Sequence, residues 1–303
     1  MNAKNCAAEF RLECQLRRLS DRTIKGYYNN TLSFLNYTEK NYSITEIEEI
    51  RPVHIKQYIQ YLIGKKLTAS YANGIMKCLR AYFKFAFQEE YISSNPTQKV
   101  NWQKEPKVLI RTFNDDEVRD LMAAFDYSTY LSTRNKLVLA LAFDTGARNT
   151  EICEIKRSDI RENMILIHGK GNKERNVPIS PYLRRIMFKY ERMRNYYFED
   201  KILKYDNYLL SRTGCPLTKE ALEHIFNQAN EKAKVRQNIR CSPHTARHYY
   251  AQACLRNGLD VYTVSRLLGH ENINITKRYL QSLEDISIVE MAATSSPLCN
   301  LKI

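Results

Sequence analysis

The sequence predicts a mainly α-helical protein of two domains, with one small β-hairpin in the C-terminal domain. Three observations lead there. Glycine and proline number only 9 and 8 in 303 residues, so few turns are written into the chain. Apolar residues recur at helical spacing in both halves. Convincing strand alternation occurs in only two short runs, "MILIH" (164–168) and "RNVPIS" (175–180). The length suits about two domains of roughly 100–200 residues each, and a hydrophobic content of 44% supplies their cores.

Residues 1–100 read as the first, helical domain. About 20 residues precede its first good helix, "SDRTIKGYYNNTLSFLNYTEKN", for which Ser20 or Asp21 is the N-cap. "RPVHIKQYIQYLIGKK" follows, with Ile55, Tyr58, Ile59 and Leu62 on one face. In "SYANGIMKCLRAYFKFAFQEE", Ile75, Leu79, Tyr82, Phe83 and Ala86 form the stripe, while Lys77, Arg80 and Lys84 lie off it. Asn95-Pro96 closes the unit. Residues 101–111, "NWQKEPKVLIR", have no clear period and read as a linker.

The second domain, 112–303, opens with Thr112 or Asn114 as N-cap. Leu137 to Phe143 is apolar nearly all round, which predicts a buried helix ending at Thr145-Gly146. Asn149 is expected to cap the next helix, with Glu151 near its positive end. "GKGNKE" makes the turn of the hairpin, and Gly169 and Gly171 suit positive φ there. Ser242, Pro243 and Gly258 bracket one helix, and Asp260 and Gly269 the next. Asn274 is expected to cap the helix that carries Tyr279.

Charge narrows the partners. The net charge is +14, with 17 basic against 10 acidic residues in 1–110 and 30 against 23 in the remainder, so each part carries +7. A basic excess shared by two folded domains points to a polyanion held between them. The longest apolar run is too short to span a bilayer. The N-terminus shows no signal-peptide stretch, which predicts a soluble, cytoplasmic protein. The eight cysteines contain no CxxC, and are read as reduced packing residues.

Several polar residues sit where chains turn. Arg148 follows the Thr145-Gly146 break, and taken alone reads as a capping or salt-bridging arginine. Lys170 and Lys173 belong to the hairpin turn, where lysines are normally solvated. His244 and Arg247 share a face of the helix after Ser242, and two donors at a helix start can cradle a phosphate. His244 and His248 have the spacing of a zinc helix, but Thr245 stands where that motif needs glutamate. The run 243–268 is also compatible with a helix-turn-helix, hence with plain DNA reading. As a set, two arginines, two histidines, a lysine and a tyrosine suit phosphoryl transfer. Guanidinium forks bind non-bridging oxygens, and a phenol can attack.

In chain order, "TGAR..E", "GKGNKER", "PHTARH", "LGH" and a tyrosine nine residues on resemble the tyrosine recombinase family of phage integrases and Xer proteins. The likeness covers about 112–290, and the N-terminal helices resemble the family's core-binding domain more loosely. It implies the family's two-domain architecture, a core-binding domain plus a catalytic domain. It also implies catalytic roles for Arg148, Lys173 (general acid), His244, Arg247, His270 and Tyr279 (nucleophile). Thr276 falls where the family often has threonine, while Ala246 and "NITKRY" depart from its usual pattern without removing a functional group. His248 reads as structural, since the cradle is complete without it. Lys77, Arg80, Lys170 and Arg175 are further expected DNA contacts.

The implied reaction is site-specific strand exchange through a 3′-phosphotyrosine and a Holliday junction, with no metal and no cofactor. The implied partners are double-stranded recombination sites and three further copies of the chain on DNA, with room for accessory proteins. The tail 281–303 is expected to pack on its own domain or on a neighbouring subunit. A type IB topoisomerase-like enzyme and a non-catalytic DNA-binding protein are the rival readings. The sequence does not separate a mobile-element integrase from a chromosome-dimer resolvase.

Overall fold

The computed structural model describes residues 1–106, 110–169, 171 and 173–280. The expected contact at Lys170 and the expected packing of 281–303 lie outside the described residues. The chain divides into two compact units, Met1–Lys107 and Val108–Ile303. It is mainly helical, and the described residues contain a single two-stranded antiparallel sheet. No helix among the described residues is long and apolar enough to cross a membrane.

The first unit holds α1 (Ala3–Leu16), α2 (Asp21–Tyr42), α3 (Pro52–Gly64) and α4 (Ala69–Gln88). Helix α1 corrects the expectation that the first helix starts near residue 20. Asn2 caps it by accepting from the Lys4 and Asn5 amides, and Cys6, Ala7, Phe10 and Cys14 bury its inner face. That stripe is built largely of small residues, so its period is faint to the eye. Phe34 of α2, Ile55 of α3, and Leu79, Tyr82 and Phe83 of α4 complete the core. Each fully buried aromatic or branched side chain of this kind contributes roughly 1.5–3 kcal/mol. The Tyr82 hydroxyl donates to the Ala3 carbonyl at 2.8 Å, which satisfies its buried polar tip.

The start of the expected linker is pinned rather than loose. The Asn73 side chain of α4 accepts from the Gln103 amide at 2.8 Å and donates to the Gln103 carbonyl at 2.9 Å. Arg80 donates to the Val100 carbonyl at 2.8 Å and stacks on Trp102, 4.3 Å from the ring centre.

The second unit is built around α6 (Tyr130–Thr145), whose residues Leu137 to Phe143 are all buried. Around it lie α5 (Asp115–Ala123), α7 (Asn149–Glu154), α8 (Pro181–Tyr197), α9 (Lys219–Ala233) and α10 (Pro243–Arg256). Asn114 caps α5, and Glu117 reaches back to the Asn114 amide. Strands β1 (Met164–Gly169) and β2 (Lys173–Pro178) pair in a register that sets Gly169 opposite Lys173 and Ile167 opposite Arg175. Gly171 has the expected positive φ of 77°. Gly169 does not; a Cβ there would lie 3.1 Å from the Lys173 carbonyl, a tight contact across the strand pair.

The chain ends its described course with α11 (Val261–Leu268) and α12 (Ile273–Leu280). Ser242 and Asp260 cap α10 and α11 as expected, and Gly258 and Gly269 take positive φ beyond their ends. Two expected caps move by one or two positions. Arg148 stands at the N-cap of α7, and Asn272 caps α12 by accepting from the Asn274 amide.

Gly146 ends α6 at φ 60°, where a Cβ would stand 2.4 Å from Tyr250 Cδ1 and 2.9 Å from Leu268 Cδ2. Replacing it with alanine combines left-handed strain with overpacking. We expect a loss of about 2–4 kcal/mol, read from the urea unfolding midpoint. A midpoint equal to that of the parent chain would show that this packing yields without cost.

Candidate active site

The site is assembled at the ends of helices in the second unit. Where α6 stops at Gly146, the chain turns into the N-cap of α7, and this fixes the backbone of Arg148. Glu151, one turn into α7, binds that corner together. Its carboxylate accepts from the Arg148 amide at 2.8 Å and from Arg148 Nη1 at 2.8 Å. It also accepts from Arg175 Nη1 at 3.0 Å and Nη2 at 2.6 Å. Burial of the Glu151 side chain, 4% exposed, opposes ionisation. The Arg175 and Arg148 donors outweigh that and hold the carboxyl at about 2.

Arg175, expected to contact DNA, has its donors engaged inside its own unit. Its side chain is only 11% exposed, and its Nε donates to the Leu267 carbonyl at 2.7 Å. It works inward, joining β2 to α7 and α11. Arg80, half-buried against Val100 and Trp102, is likewise engaged within its own unit. Lys77 is exposed on α4.

Arg247 of α10 closes the frame. Its Nη1 donates to the Gly146 carbonyl and its Nη2 to the Leu268 carbonyl, both at 2.7 Å. These carbonyls lie at the C-terminal ends of α6 and α11, where the helix dipoles favour a cation. Burial lowers the guanidinium to about 10, so it stays charged at neutral pH. Arg148 Nη2 also approaches the Gly269 carbonyl, at 3.4 Å. Each guanidinium has five N–H donors, so both arginines keep donors beyond these contacts.

Three histidines stand beside them. His244 lies in the first turn of α10, its ring 4.2 Å from that of His248 and edge-on to it. Burial and then Arg247, Arg240 and Arg148 lower its pKa. His270 follows the Gly269 cap and shares a hydrogen bond between its Nδ1 and Thr276 Oγ1 at 2.8 Å. Burial, with Arg247, Arg148, Arg175 and His248 around it, lowers His270 to about 4. Burial together with His244, Arg247 and Arg278 lowers His248 to about 4 as well. Both rings are neutral near pH 7.

Tyr279, on α12, is 3% exposed. Its hydroxyl lies 2.9 Å from His248 Nδ1, and its ring is parallel to that of His270 at 6.5 Å. Burial raises its pKa, while Arg247, Arg278 and Arg148 pull it back. One cavity of about 780 Å³ is lined by Arg148, His244, Arg247, His248, His270 and Tyr279, with Arg240 and Arg278 also on its wall.

The structure thus brings together five of the six residues read as catalytic. Lys173 is not on that wall; its amine lies 2.6 Å from Glu271 Oε1, exposed, beside the loop of His270. Sequence reasoning missed the contact of His248 with Tyr279, although four-residue spacing already put His248 on the face of His244. It also missed Arg240 and Arg278. Among the described residues no group of three or more His, Cys, Asp or Glu side chains could hold a metal ion, so His244 and His248 have no third ligand.

Comparisons with known proteins agree with this architecture. The phage integrase family model matches residues 111–285, and the model of the phage integrase N-terminal SAM-like domain matches 7–93. Tyrosine recombinase XerC of Bacillus pumilus is 30% identical over 280 residues, covering 89% of this chain and 88% of that protein. The crystal structure of XerH site-specific recombinase bound to palindromic difH substrate, a post-cleavage complex, has a TM-score of 0.75 at 19% identity. It covers 97% of this chain and 85% of that one. A lambda integrase tetramer bound to a Holliday junction has a TM-score of 0.72 at 18% identity, covering 92% and 77%. Fold and site define a site-specific tyrosine recombinase, an enzyme that acts on DNA. The chain belongs to the phage integrase family.

Proposed function

We propose that Tyr279 attacks a scissile DNA phosphodiester held by Arg148 and Arg247. The observation that carries this reading is the single cavity shared by Arg148, His244, Arg247, His270 and Tyr279. The Tyr279 oxygen forms a bond to phosphorus as its proton passes to a neutral imidazole of the pocket. The bond to the 5′ oxygen breaks, and that oxygen takes a proton from Lys173. The products are a 3′-phosphotyrosine and a free 5′-hydroxyl. A 5′-hydroxyl from the partner duplex then attacks the phosphotyrosine and releases Tyr279.

The two guanidinium groups stabilise the charge that builds on the non-bridging oxygens, and His244 and His270 donate to the same oxygens. Lys173 leaves Glu271 to reach the leaving group; an exposed ion pair of that kind holds it by no more than about 1 kcal/mol. No metal takes part. The first unit, residues 1–100 with the segment pinned to α4, acts as a core-binding domain, and Lys77 contacts a DNA phosphate there. The match to the N-terminal SAM-like domain supports that assignment. Four copies act on two sites through a Holliday junction in the cytoplasm, an assembly supported by the lambda integrase tetramer.

The test is strand exchange between two labelled duplexes carrying the cognate site, sought in DNA flanking the gene. Exchanged products should form at equal rates with and without EDTA. Relaxed supercoils without exchanged products would favour a topoisomerase-like enzyme instead. Cleavage that stops in chelator would sink the metal-free mechanism.

A further inference from the structure

The reaction above needs a group to receive the phenol proton, and three pocket histidines are available for it. Geometry separates them. His270 commits its Nδ1 to Thr276 and lies parallel to the Tyr279 ring, 6.5 Å away. His244 contacts the ring of His248. Among the described residues the Tyr279 hydroxyl has one hydrogen-bonding partner, His248 Nδ1, at 2.9 Å. Their rings are tilted by 57° with centroids 5.5 Å apart, so the contact is made by the ring nitrogen and not by a stacked face.

We propose that His248 is the immediate proton acceptor for Tyr279 in strand cleavage. This rests on Tyr279 being the nucleophile. As the bond from the tyrosine oxygen to phosphorus forms, the phenol proton moves along the existing hydrogen bond to Nδ1. When the partner 5′-hydroxyl later displaces Tyr279, the same nitrogen returns a proton to the departing phenol oxygen. The two steps leave His248 unchanged, as a recombinase that closes its own cycle requires.

The surroundings set the resting state of the pair. Burial, with the positive charge of His244, Arg247 and Arg278 beside it, keeps the His248 ring neutral at rest, and in the tautomer protonated at Nε2 its Nδ1 accepts from the Tyr279 hydroxyl. The proton reaches Nδ1 only as the bond from Tyr279 to phosphorus forms. Until then the same hydrogen bond points the hydroxyl proton away from the oxygen lone pairs that must attack.

The test is single-turnover formation of the covalent adduct on a nicked substrate that traps cleavage, using the full chain. His248→Ala should slow adduct formation by about 100-fold or more, and added imidazole should restore part of the rate. His248→Asn keeps an acceptor near the position of Nδ1 but cannot take a proton, and should remain slow. Either variant cleaving at the parent rate overturns the proposal. So does a slow His248→Ala enzyme that imidazole leaves unchanged. Tyr279→Phe is run alongside. If it still forms an adduct, the choice of nucleophile has failed; if it forms none while His248→Ala cleaves normally, only the proton acceptor has been misassigned.

Discussion

Replacing Tyr279 with phenylalanine should abolish the covalent protein–DNA adduct while leaving DNA binding intact. The change removes one oxygen and keeps the ring. That ring is buried and lies parallel to His270, so α12 keeps its packing. The loss strands His248 Nδ1 in a half-buried position, a cost of roughly 1–3 kcal/mol that the fold can absorb. Removing a nucleophile costs on the order of 10⁴-fold or more in rate. Binding rests on phosphate neutralisation spread over a basic chain, and one phenol contributes little to it. A denaturing gel reports the adduct and a native gel the binding. An adduct that survives would mean that another of the tyrosines attacks.

The second large effect concerns Glu151, a residue that need not touch DNA at all. Replacing it with alanine leaves Arg175 buried without its counter-charge and frees Arg148 from its corner. Breaking a buried pair in this way costs about 3–5 kcal/mol, which is a large share of the stability of a typical domain. Its pH dependence has a definite sign. The Glu151 carboxyl sits at about 2 in the folded chain, below its ordinary 4.5. Its stabilising contribution is therefore complete above about pH 4.5 and drains away as pH falls toward 2. Urea midpoints of the parent and of Glu151→Gln, measured from pH 7 down to 2.5, should converge as the pH drops. A gap that stays constant across this range would show that the charge of Glu151 is not what holds the corner.

Much of the site could be read from the sequence because its residues sit at punctuation. Arg148 follows a glycine break, His270 follows a glycine cap, and His244 follows a serine-proline start, so local rules place each at a helix end. Arg175 shows the limit. In β2, Arg175 and Val177 are two positions apart and share a face, and Val177 is fully buried. Strand alternation therefore puts Arg175 on the inward face, but the sequence does not show that Glu151 and the Leu267 carbonyl stand there to bind it. Helix α1 was missed because cysteine and alanine make a weak stripe. The pairing of His248 with Tyr279 joins two helices and is a property of packing alone.

The Arg247 bridge between the last carbonyls of α6 and α11 has an evolutionary consequence. The guanidinium proposed to bind the phosphate also staples two secondary-structure ends, so under that proposal selection for folding and selection for chemistry act on one side chain. A lysine could supply the charge but not the planar fork needed to span both acceptors. A lineage that abandoned recombination while keeping this fold would thus still be under pressure to retain the arginine. Its presence in a silent relative would testify to architecture and not to activity.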